Sequence, residues 1–378
     1  MAARSLRSGF TTGACAAAAA KGAALLLAGA GPVAAVTIDL PAGFPATFAL
    51  HGQGCDGESA RCYVIKDAGD DPDVTHGVEV HAEVRLTPPP CGHPPLVKGG
   101  PGGVRIEGGT GIGTVTKPGL AVAVGEPAIN PVPRRMIAAA VEEVFGPMPA
   151  GKTLLVTLSI PDGEERAKRT LNARLGIVGG LSILGTSGVV RPISHQAWTD
   201  TIEVAIDVAR AAAVPAVVLA TGRTSEAAAQ QRLELPEEAF VMMGDHVGYA
   251  LQACHRKGVA QAVVAAQFAK CLKIACGHPQ THVSASRLDL AQLAEWGRQS
   301  GLDGAFADRL EWANTARGAW LELGPDHPLV RAVVERALAV LRGWAPGTAL
   351  GLLLVGYDDR PPRVFGDLPR GFKEEQAT

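Results

Sequence analysis

The sequence lacks the features that mark membrane-spanning, nucleic-acid-binding and disulfide-stabilised proteins. No uninterrupted apolar run reaches the roughly 18–20 residues that a membrane-spanning helix needs. The 35 Lys and Arg are offset by 37 Asp and Glu, so the basic excess typical of nucleic-acid-binding proteins is missing. The seven cysteines are odd in number and scattered, which argues against a disulfide framework. We therefore expect a cytoplasmic protein with no nucleic-acid and no membrane partner.

Aromatic residues are scarce as well, at 4%, although 47% of the 378 residues are apolar. The core must therefore be built mainly from Ala, Val and Leu, and enough of them are present to exclude global disorder. The length predicts two domains, or three. The 46 Gly and 27 Pro indicate many turns between short elements.

The most apolar stretch of the chain, residues 14–30, follows Arg4 and Arg7, an order that resembles a secretory signal. Lys21 interrupts this stretch, and Thr11 offers a start for a helix. We therefore favour a helix of a cytoplasmic protein over a signal.

Strands cluster in the first part of the chain instead of alternating with helices. This pattern predicts an α+β domain over residues 1–165. We expect helices at residues 14–30 and 131–145, and strands at residues 33–40, 46–50, 61–66, 77–86 and 153–160.

Apolar strands alternate with helical patterns in the second part, which is typical of βαβ units and a parallel sheet. We predict a Rossmann-like α/β domain over residues 166–378, with a mostly parallel sheet and extra helices near its C-terminus. Strands are expected at residues 175–178, 216–220, 240–243, 262–266 and 352–356, and helices at 200–213, 247–256, 268–275, 289–299, 304–315 and 329–342.

A glycine-rich segment, LGIVGGLSILGTSG at residues 175–188, follows the expected first strand of that sheet. It has neither the glycine spacing of a dinucleotide fingerprint nor the lysine of a phosphate loop. Two interpretations remain open. The segment is either an ordinary turn or a close backbone approach to a small ligand at the carboxyl edge of the sheet.

Acidic residues follow two further predicted strands. Strand 216–220 leads into TGRTSE at residues 221–226, and strand 240–243 leads into Gly244, Asp245 and His246. Carboxylates at such an edge face the ligand crevice of α/β sheets, where Glu226 would accept a hydrogen bond from a ribose diol. Taken singly, each segment is better explained by a helix N-cap, at Ser225 or at Asp245, but the two acidic strand ends together favour a nucleoside-like ligand.

Cys271, Cys276, His278 and His282 form a sequence cluster that suggests zinc. On one helix the two cysteines would point about 140° apart, because they are five residues apart in sequence. We therefore expect no protein-bound metal.

Several segments of the chain together resemble those of a known family. These segments are GFTTGACAAAAAK (9–21), TVTKPGL (114–120), VGEPAINPVPRR (124–135), NARLGIVGGLSILGTSG (172–188), TGRTSE (221–226), GD (244–245), GY (248–249) and TH (281–282). They resemble the CbiD family, the cobalt-precorrin-5B C1-methyltransferases of cobalamin biosynthesis. The resemblance covers about residues 5–345, and His246 departs from it where an aromatic residue is expected.

The resemblance implies a cytoplasmic enzyme with S-adenosylmethionine as methyl donor and a tetrapyrrole as acceptor. Asp245 and His282 are the candidates for a general base. The residues expected to bind the donor are Gly179, Gly180, Gly185, Thr186, Ser187, Gly188 and Glu226.

The acceptor is a polycarboxylate, so it requires cationic partners. Arg134 and Arg135 lie in the first turns of a helix that Pro131 and Pro133 help to start, and Lys117 is a third candidate.

Two other functions remain open: a nicotinamide-dependent oxidoreductase of the same pathway and a non-catalytic corrinoid carrier. The sequence is also compatible with a homo-oligomer.

Overall fold

The computed structural model describes residues 6–87, 103–146, 153–192, 194–313, 315–357 and 362–369. The chain divides into two compact units, Met1–Ser194 and His195–Thr378. Both units mix helices with sheets, which confirms the mixed α/β class. The division falls later than the one predicted after residue 165, and the pairing of the intervening segment explains why.

The first unit contains one large sheet, several short strand pairs and three helices within the described residues. Its elements are β1 (Gly9–Phe10), α1 (Thr12–Leu27), β2 (Ala35–Asp39), β3 (Pro45–Ala49), β4 (His51–Cys55), β5 (Ser59–Ile65), β6 (Glu79–Thr87), β7 (Val104–Gly108), β8 (Thr114–Val115), α2 (Pro131–Phe145), β9 (Thr153–Ser159), α3 (Gly163–Ala167), β10 (Ile177–Val178) and β11 (Val189–Val190).

Helix α1 is the centre of the first core. Nearly all of its residues are buried, and it packs against α2, β5 and β6. The Thr11 hydroxyl caps it by accepting a hydrogen bond from the Ala14 N–H at 3.2 Å. Small side chains allow neighbours to approach closely, since a Cβ at Gly22 would lie 2.5 Å from Leu50 Cδ1. The stretch that resembles a secretory signal is therefore folded as a core helix.

The large sheet of the first unit has the strand order β4-β5-β6-β9-β7. All neighbours are antiparallel except β7 and β9, which are parallel. Burial alternates along β5, β6 and β9, as expected for a sheet with one face on a core.

The segment 166–192 belongs to the first unit. Strand β10 was expected to be the first strand of a parallel sheet, but it pairs antiparallel with β8. Val178 is 56% exposed, whereas a strand within a parallel sheet is covered on both faces. Leu181 and Ile183 lie in the same core as α1. The expected boundary and the expected role of this strand were therefore wrong.

The described residues of the second unit form one sheet, whose parallel strands are separated in sequence by helices. Its elements are α4 (His195–Ala211), β12 (Val217–Ala220), α5 (Arg223–Arg232), β13 (Phe240–Met242), α6 (Val247–Arg256), β14 (Gln261–Gln267), α7 (Phe268–Ala275), α8 (Leu290–Gln299), α9 (Gly304–Glu311), α10 (Ala316–Leu323), α11 (Pro328–Trp344), β15 (Ala349–Val355) and β16 (Arg363–Gly366).

Its sheet has the order β13-β12-β14-β15-β16, with the first four strands parallel and β16 antiparallel at the edge. The mostly parallel sheet predicted for this region is confirmed. The chain leaves β12 toward β13 on one side and later returns to β14 on the other. This reversal is a topological switch point, the place where open α/β sheets bind ligands.

No helix among the described residues is long and apolar enough to cross a membrane.

Candidate functional site

The carboxyl end of β12 lies at the switch point and is held by hydrogen bonds to β14. The Thr221 N–H and hydroxyl donate to the Ala265 carbonyl oxygen at 3.1 and 3.3 Å. The same hydroxyl lies 3.1 Å from Ser225 Oγ. Helix α5 begins two residues later, with Glu226 in its first turn. The helices predicted from the sequence did not include these residues, although a helix N-cap was one interpretation of the segment, and a ten-residue helix starts at this edge.

The carboxyl end of β13 meets β12 at the same edge. The N–H groups of Met243 and Gly244 both donate to the Ala220 carbonyl oxygen, at 2.9 and 3.3 Å. The structure therefore brings the turn that carries Asp245 next to the strand that leads to Glu226, as the parallel arrangement predicted.

Asp245 is the centre of a polar cluster with Lys270 and Thr281. Its carboxylate forms an ion pair with the Lys270 ammonium and accepts a hydrogen bond from the Thr281 hydroxyl at 2.7 Å. Burial opposes ionisation of Asp245, but the hydrogen bonds from Lys270 and Thr281 outweigh it and lower its pKa. Asp245 is therefore ionised at neutral pH and is a weak proton acceptor.

A second lysine fixes the loop that carries Thr281. The buried Lys273 ammonium donates to the carbonyl oxygens of Thr281 at 2.8 Å and of Ser286 at 3.1 Å. Burial and the neighbouring Lys270 lower the pKa of Lys273. The sequence did not single out Lys270 and Lys273, because the pattern of α7 marks them only as polar positions between apolar ones.

His282 follows Thr281 and is exposed. Its Nδ1 atom accepts a hydrogen bond from the Ser284 N–H at 3.2 Å and lies 2.7 Å from Ser284 Oγ. A backbone N–H can only donate, so the proton of the neutral ring is assigned to Nε2.

Three aromatic rings lie near this edge. His195 and Trp198 are in the first turn of α4, and His246 precedes α6. The rings of His195 and His246 meet edge-on, with centroids 5.4 Å apart. The rings of Trp198 and His246 have centroids 6.5 Å apart. The sequence marked only His246, as a departure from the family pattern.

The glycine segment 179–188 is built into the first unit and does not follow a strand of the parallel sheet. Leu181 N–H donates to the Gly111 carbonyl oxygen at 2.9 Å, and a Cβ at Gly180 would lie 2.3 Å from that oxygen. The turn interpretation therefore explains Gly180 without a ligand. Gly179 and Glu226, expected to share one cofactor, belong to different units.

The rest of this segment packs against the start of α1. Gly13 N–H donates to the Leu184 carbonyl oxygen at 3.1 Å, and Thr11 N–H donates to that of Gly188 at 3.0 Å. A Cβ at Gly185 would lie 2.4 Å from Thr11 Oγ1. The Ser187 carbonyl oxygen accepts from the Ala42 N–H, while Thr186 is exposed within the same turn.

The two neighbouring arginines of α2 are in different environments. Arg134 donates through Nε to the Ile129 carbonyl oxygen at 2.8 Å and through Nη2 to that of Pro127 at 3.2 Å. Burial lowers its pKa, and Glu126 opposes this shift. Arg135 is exposed.

Lys117 packs along the turn before β10. A Cβ at Gly176 would lie 2.4 Å from Lys117 Cγ.

The described residues contain no group of three or more His, Cys, Asp or Glu side chains that is arranged to hold a metal ion. Cys271 is fully buried, and this burial raises its pKa to about 12.

Similarity to known proteins extends through both units. The family model described as CbiD matches residues 1–192, and that of the CbiD C-terminal domain matches residues 280–362. A curated relative from Geobacter metallireducens, named cobalt-precorrin-5B C(1)-methyltransferase, is 55% identical over 364 residues, covering 93% of this chain and 97% of the relative. A relative of the same name from Paramagnetospirillum magneticum is 43% identical over 366 residues, covering 96% and 98%.

A crystal structure of a cobalamin biosynthesis protein (cbiD) from Archaeoglobus fulgidus is also similar. It is 26% identical, with a TM-score of 0.37, and the match covers 79% of this chain and 85% of that chain.

Proposed function

The chain belongs to the CbiD family, and from this premise we propose that it transfers a methyl group from S-adenosylmethionine to C1 of cobalt-precorrin-5B in the cytoplasm. The product is cobalt-precorrin-6A. The observation that carries the proposal is the 55% identity to a cobalt-precorrin-5B C(1)-methyltransferase along nearly the whole of both chains.

The second unit is proposed as a Rossmann-like domain that binds the methyl donor at the switch point between β12 and β14. The donor has a ribose diol, a carboxylate and no phosphate, and the edge offers groups that suit the first two. Glu226 is a carboxylate in the first turn of α5 and would accept from the diol. The N-terminus of α5 presents N–H groups that favour an anion such as the donor's carboxylate.

When bound, S-adenosylmethionine supplies a methyl group that is already activated by its positively charged sulfur. The chain's main task is then alignment, because holding the attacking carbon and the methyl carbon in line removes much of the entropic barrier. A new carbon–carbon bond forms while the carbon–sulfur bond breaks, and the sulfur keeps the electron pair.

A general base would remove a proton from the macrocycle as its double bonds shift. Of the two candidates, Asp245 is occupied by Lys270 and Thr281, which suits it to positioning the turn after β13. His282 is exposed, and imidazole is the side chain best suited to proton transfer near neutral pH. We therefore propose His282 as the base and Asp245 as the residue that orders the loop beside it.

In the first unit, Arg135 is the proposed partner of an acceptor carboxylate, with Lys117 as a second cation. Arg134 is proposed to support them by holding the loop from Pro127 to Ile129. The glycines of segment 179–188 keep the start of α1 in place, and the proposed donor site does not include them.

The function is tested by incubating the pure protein with methyl-labelled S-adenosylmethionine and cobalt-precorrin-5B, and locating the label by NMR. We expect the label on C1. Reduction of the macrocycle with NADPH, or tight binding of the macrocycle without consumption of the donor, would contradict the proposal. In the same assay His282→Ala should lower kcat, whereas His278→Ala should not.

A further inference from the structure

The rings of His195, Trp198 and His246, called the aromatic patch here, form a surface that no core of the second unit uses. Trp198 is 45% exposed, although tryptophan is highly buried on average. It belongs to neither hydrophobic core of this unit. Among the described residues, the one ring contact of Trp198 is with His246.

The patch presents flat rings, and two of them, those of Trp198 and His246, carry little charge. Burial and the neighbouring His195 lower the pKa of His246, against an opposing effect of Asp245. The His246 ring is therefore neutral near pH 7, and the indole of Trp198 is uncharged. Such rings bind other π-systems by offset stacking or edge-on contact.

The patch borders the edge of the sheet that is proposed to bind the methyl donor. A Cβ at Gly244 would lie 4.0 Å from the ring of Trp198. The N–H of Gly244 in turn donates to the Ala220 carbonyl oxygen at the end of β12. Gly244 thus lies between the indole and the end of β12, which borders the switch point.

Methyl transfer requires the two reactants to meet at that edge. The attacking carbon must approach the methyl carbon to about 3–3.5 Å for in-line displacement. A tetrapyrrole is a wide, conjugated ring, so when one of its carbons is this close, the rest of its face extends over the neighbouring surface. The aromatic patch is a surface of the matching chemistry beside the donor edge.

We infer, resting on the proposed function, that the aromatic patch stacks against the face of the tetrapyrrole acceptor, with Trp198 as its main contact. The second unit then binds both reactants.

The test compares Trp198→Phe with Trp198→Leu, two apolar replacements of which only the first keeps a ring. Dissociation constants for cobalt-precorrin-5B and for S-adenosylmethionine are measured by calorimetry without oxygen. Trp198→Leu should weaken macrocycle binding about tenfold or more, as for the loss of one stacked ring. Trp198→Phe should weaken it less than about threefold. Binding of the methyl donor should not change in either variant. Trp312→Leu, at a tryptophan that is 82% exposed, is the matched control.

Circular dichroism establishes that each variant is folded. If Trp198→Leu binds the macrocycle as tightly as wild type while methylation continues, the stacking inference is wrong and the proposed function stands. If wild type binds the macrocycle but never methylates it, the proposed function is wrong, and stacking is judged by the same pair of variants. If a variant loses its fold instead of its affinity, Trp198 is a structural residue and the inference is also wrong.

Discussion

Asp245 and Thr281 are joined twice, by the Thr281 hydroxyl on the Asp245 carboxylate at 2.7 Å and by the Thr281 N–H on the Asp245 carbonyl oxygen at 3.0 Å. Side chain and backbone thus tie the turn after β13 to a loop 36 residues further along the chain. Lys270 closes the arrangement from α7. Because the loop carries His282, this pair of residues controls where that imidazole lies.

Stability should fall in acid partly because Asp245 loses its charge. Burial opposes ionisation of Asp245, but hydrogen bonds from Lys270 and Thr281 outweigh it, so its folded pKa is below the unfolded value. The resulting stabilisation is present above the unfolded pKa, about 3.9, and is lost as the pH falls through the folded pKa. Denaturation with urea at about pH 7 and about pH 3 measures this difference.

Asp245→Asn should reduce the difference in the free energy of unfolding between neutral and acid pH. It should do so chiefly by lowering the free energy of unfolding at neutral pH. Asp39→Asn, at an exposed position of β2, is the control for the loss of any one carboxylate. An unchanged difference in Asp245→Asn would mean that the ion pair with Lys270 contributes nothing to stability.

Replacement of Glu226 should weaken binding of the methyl donor. Loss of a hydrogen bond to a charged group costs about 1–3 kcal/mol, so the dissociation constant of Glu226→Ala should rise by roughly five- to 150-fold. Glu237→Ala is the matched control, since Glu237 precedes β13 and lies toward the opposite edge of the sheet. Calorimetry that gives equal affinities for Glu226→Ala and wild type would remove Glu226 from the donor site.

Substitutions at two adjacent glycines distinguish a structural role of segment 179–188 from a role in donor binding. A Cβ at Gly180 would lie 2.3 Å from the Gly111 carbonyl oxygen, so Gly180→Ala should destabilise the first unit strongly. Gly179 has φ +84°, and within the described residues no atom beyond its two chain neighbours lies within 4 Å of its would-be Cβ, so Gly179→Ala should cost only about 1 kcal/mol, for backbone strain.

The affinity of Gly179→Ala for the methyl donor shows whether the segment binds the donor, because we expect this variant to stay folded. We expect that affinity to equal the wild-type affinity. A large loss of affinity with little loss of stability would restore the segment to the donor site.

The sequence predicted the elements with strong patterns and failed where the pattern was weak. Pro131 fixes the start of α2, and Phe145 is followed by Gly146, so the predicted helix has the observed bounds. Helix α5 was missed because only Ser225 and Ala229 are buried along it, and a polar helix has no apolar period to detect.

The pairing of strands that are far apart in the chain could not be predicted from a single sequence. The four residues before Gly179 are apolar enough for a buried parallel strand, and nothing local shows that their partner is β8. The edge that carries Glu226 and Asp245 could be predicted, because carboxyl ends of parallel strands share one edge. The Lys270 partner of Asp245 could not, since it depends on how α7 packs across that edge.

The last prediction concerns Arg134 and Arg135, which point in directions about 100° apart on α2. Arg134 donates hydrogen bonds to the carbonyl oxygens of Ile129 and Pro127. Arg134→Ala should therefore lower the free energy of unfolding by about 1–3 kcal/mol. Arg135 is exposed, and within the described parts of the chain its guanidinium has no hydrogen bond or ion pair.

Arg135→Ala should therefore leave stability unchanged and act on the reaction. Loss of a bidentate contact to an acceptor carboxylate costs ~2–3 kcal/mol, which lowers kcat/KM for cobalt-precorrin-5B by a factor of tens to hundreds. The affinity for S-adenosylmethionine should not change, because only the acceptor makes this contact. Arg135→Lys keeps the charge without the planar fork and should recover part of the loss. Should Arg135→Ala retain the wild-type kcat/KM at physiological salt, the acceptor's carboxylates do not bind at this arginine, and its exposure is that of an ordinary surface residue.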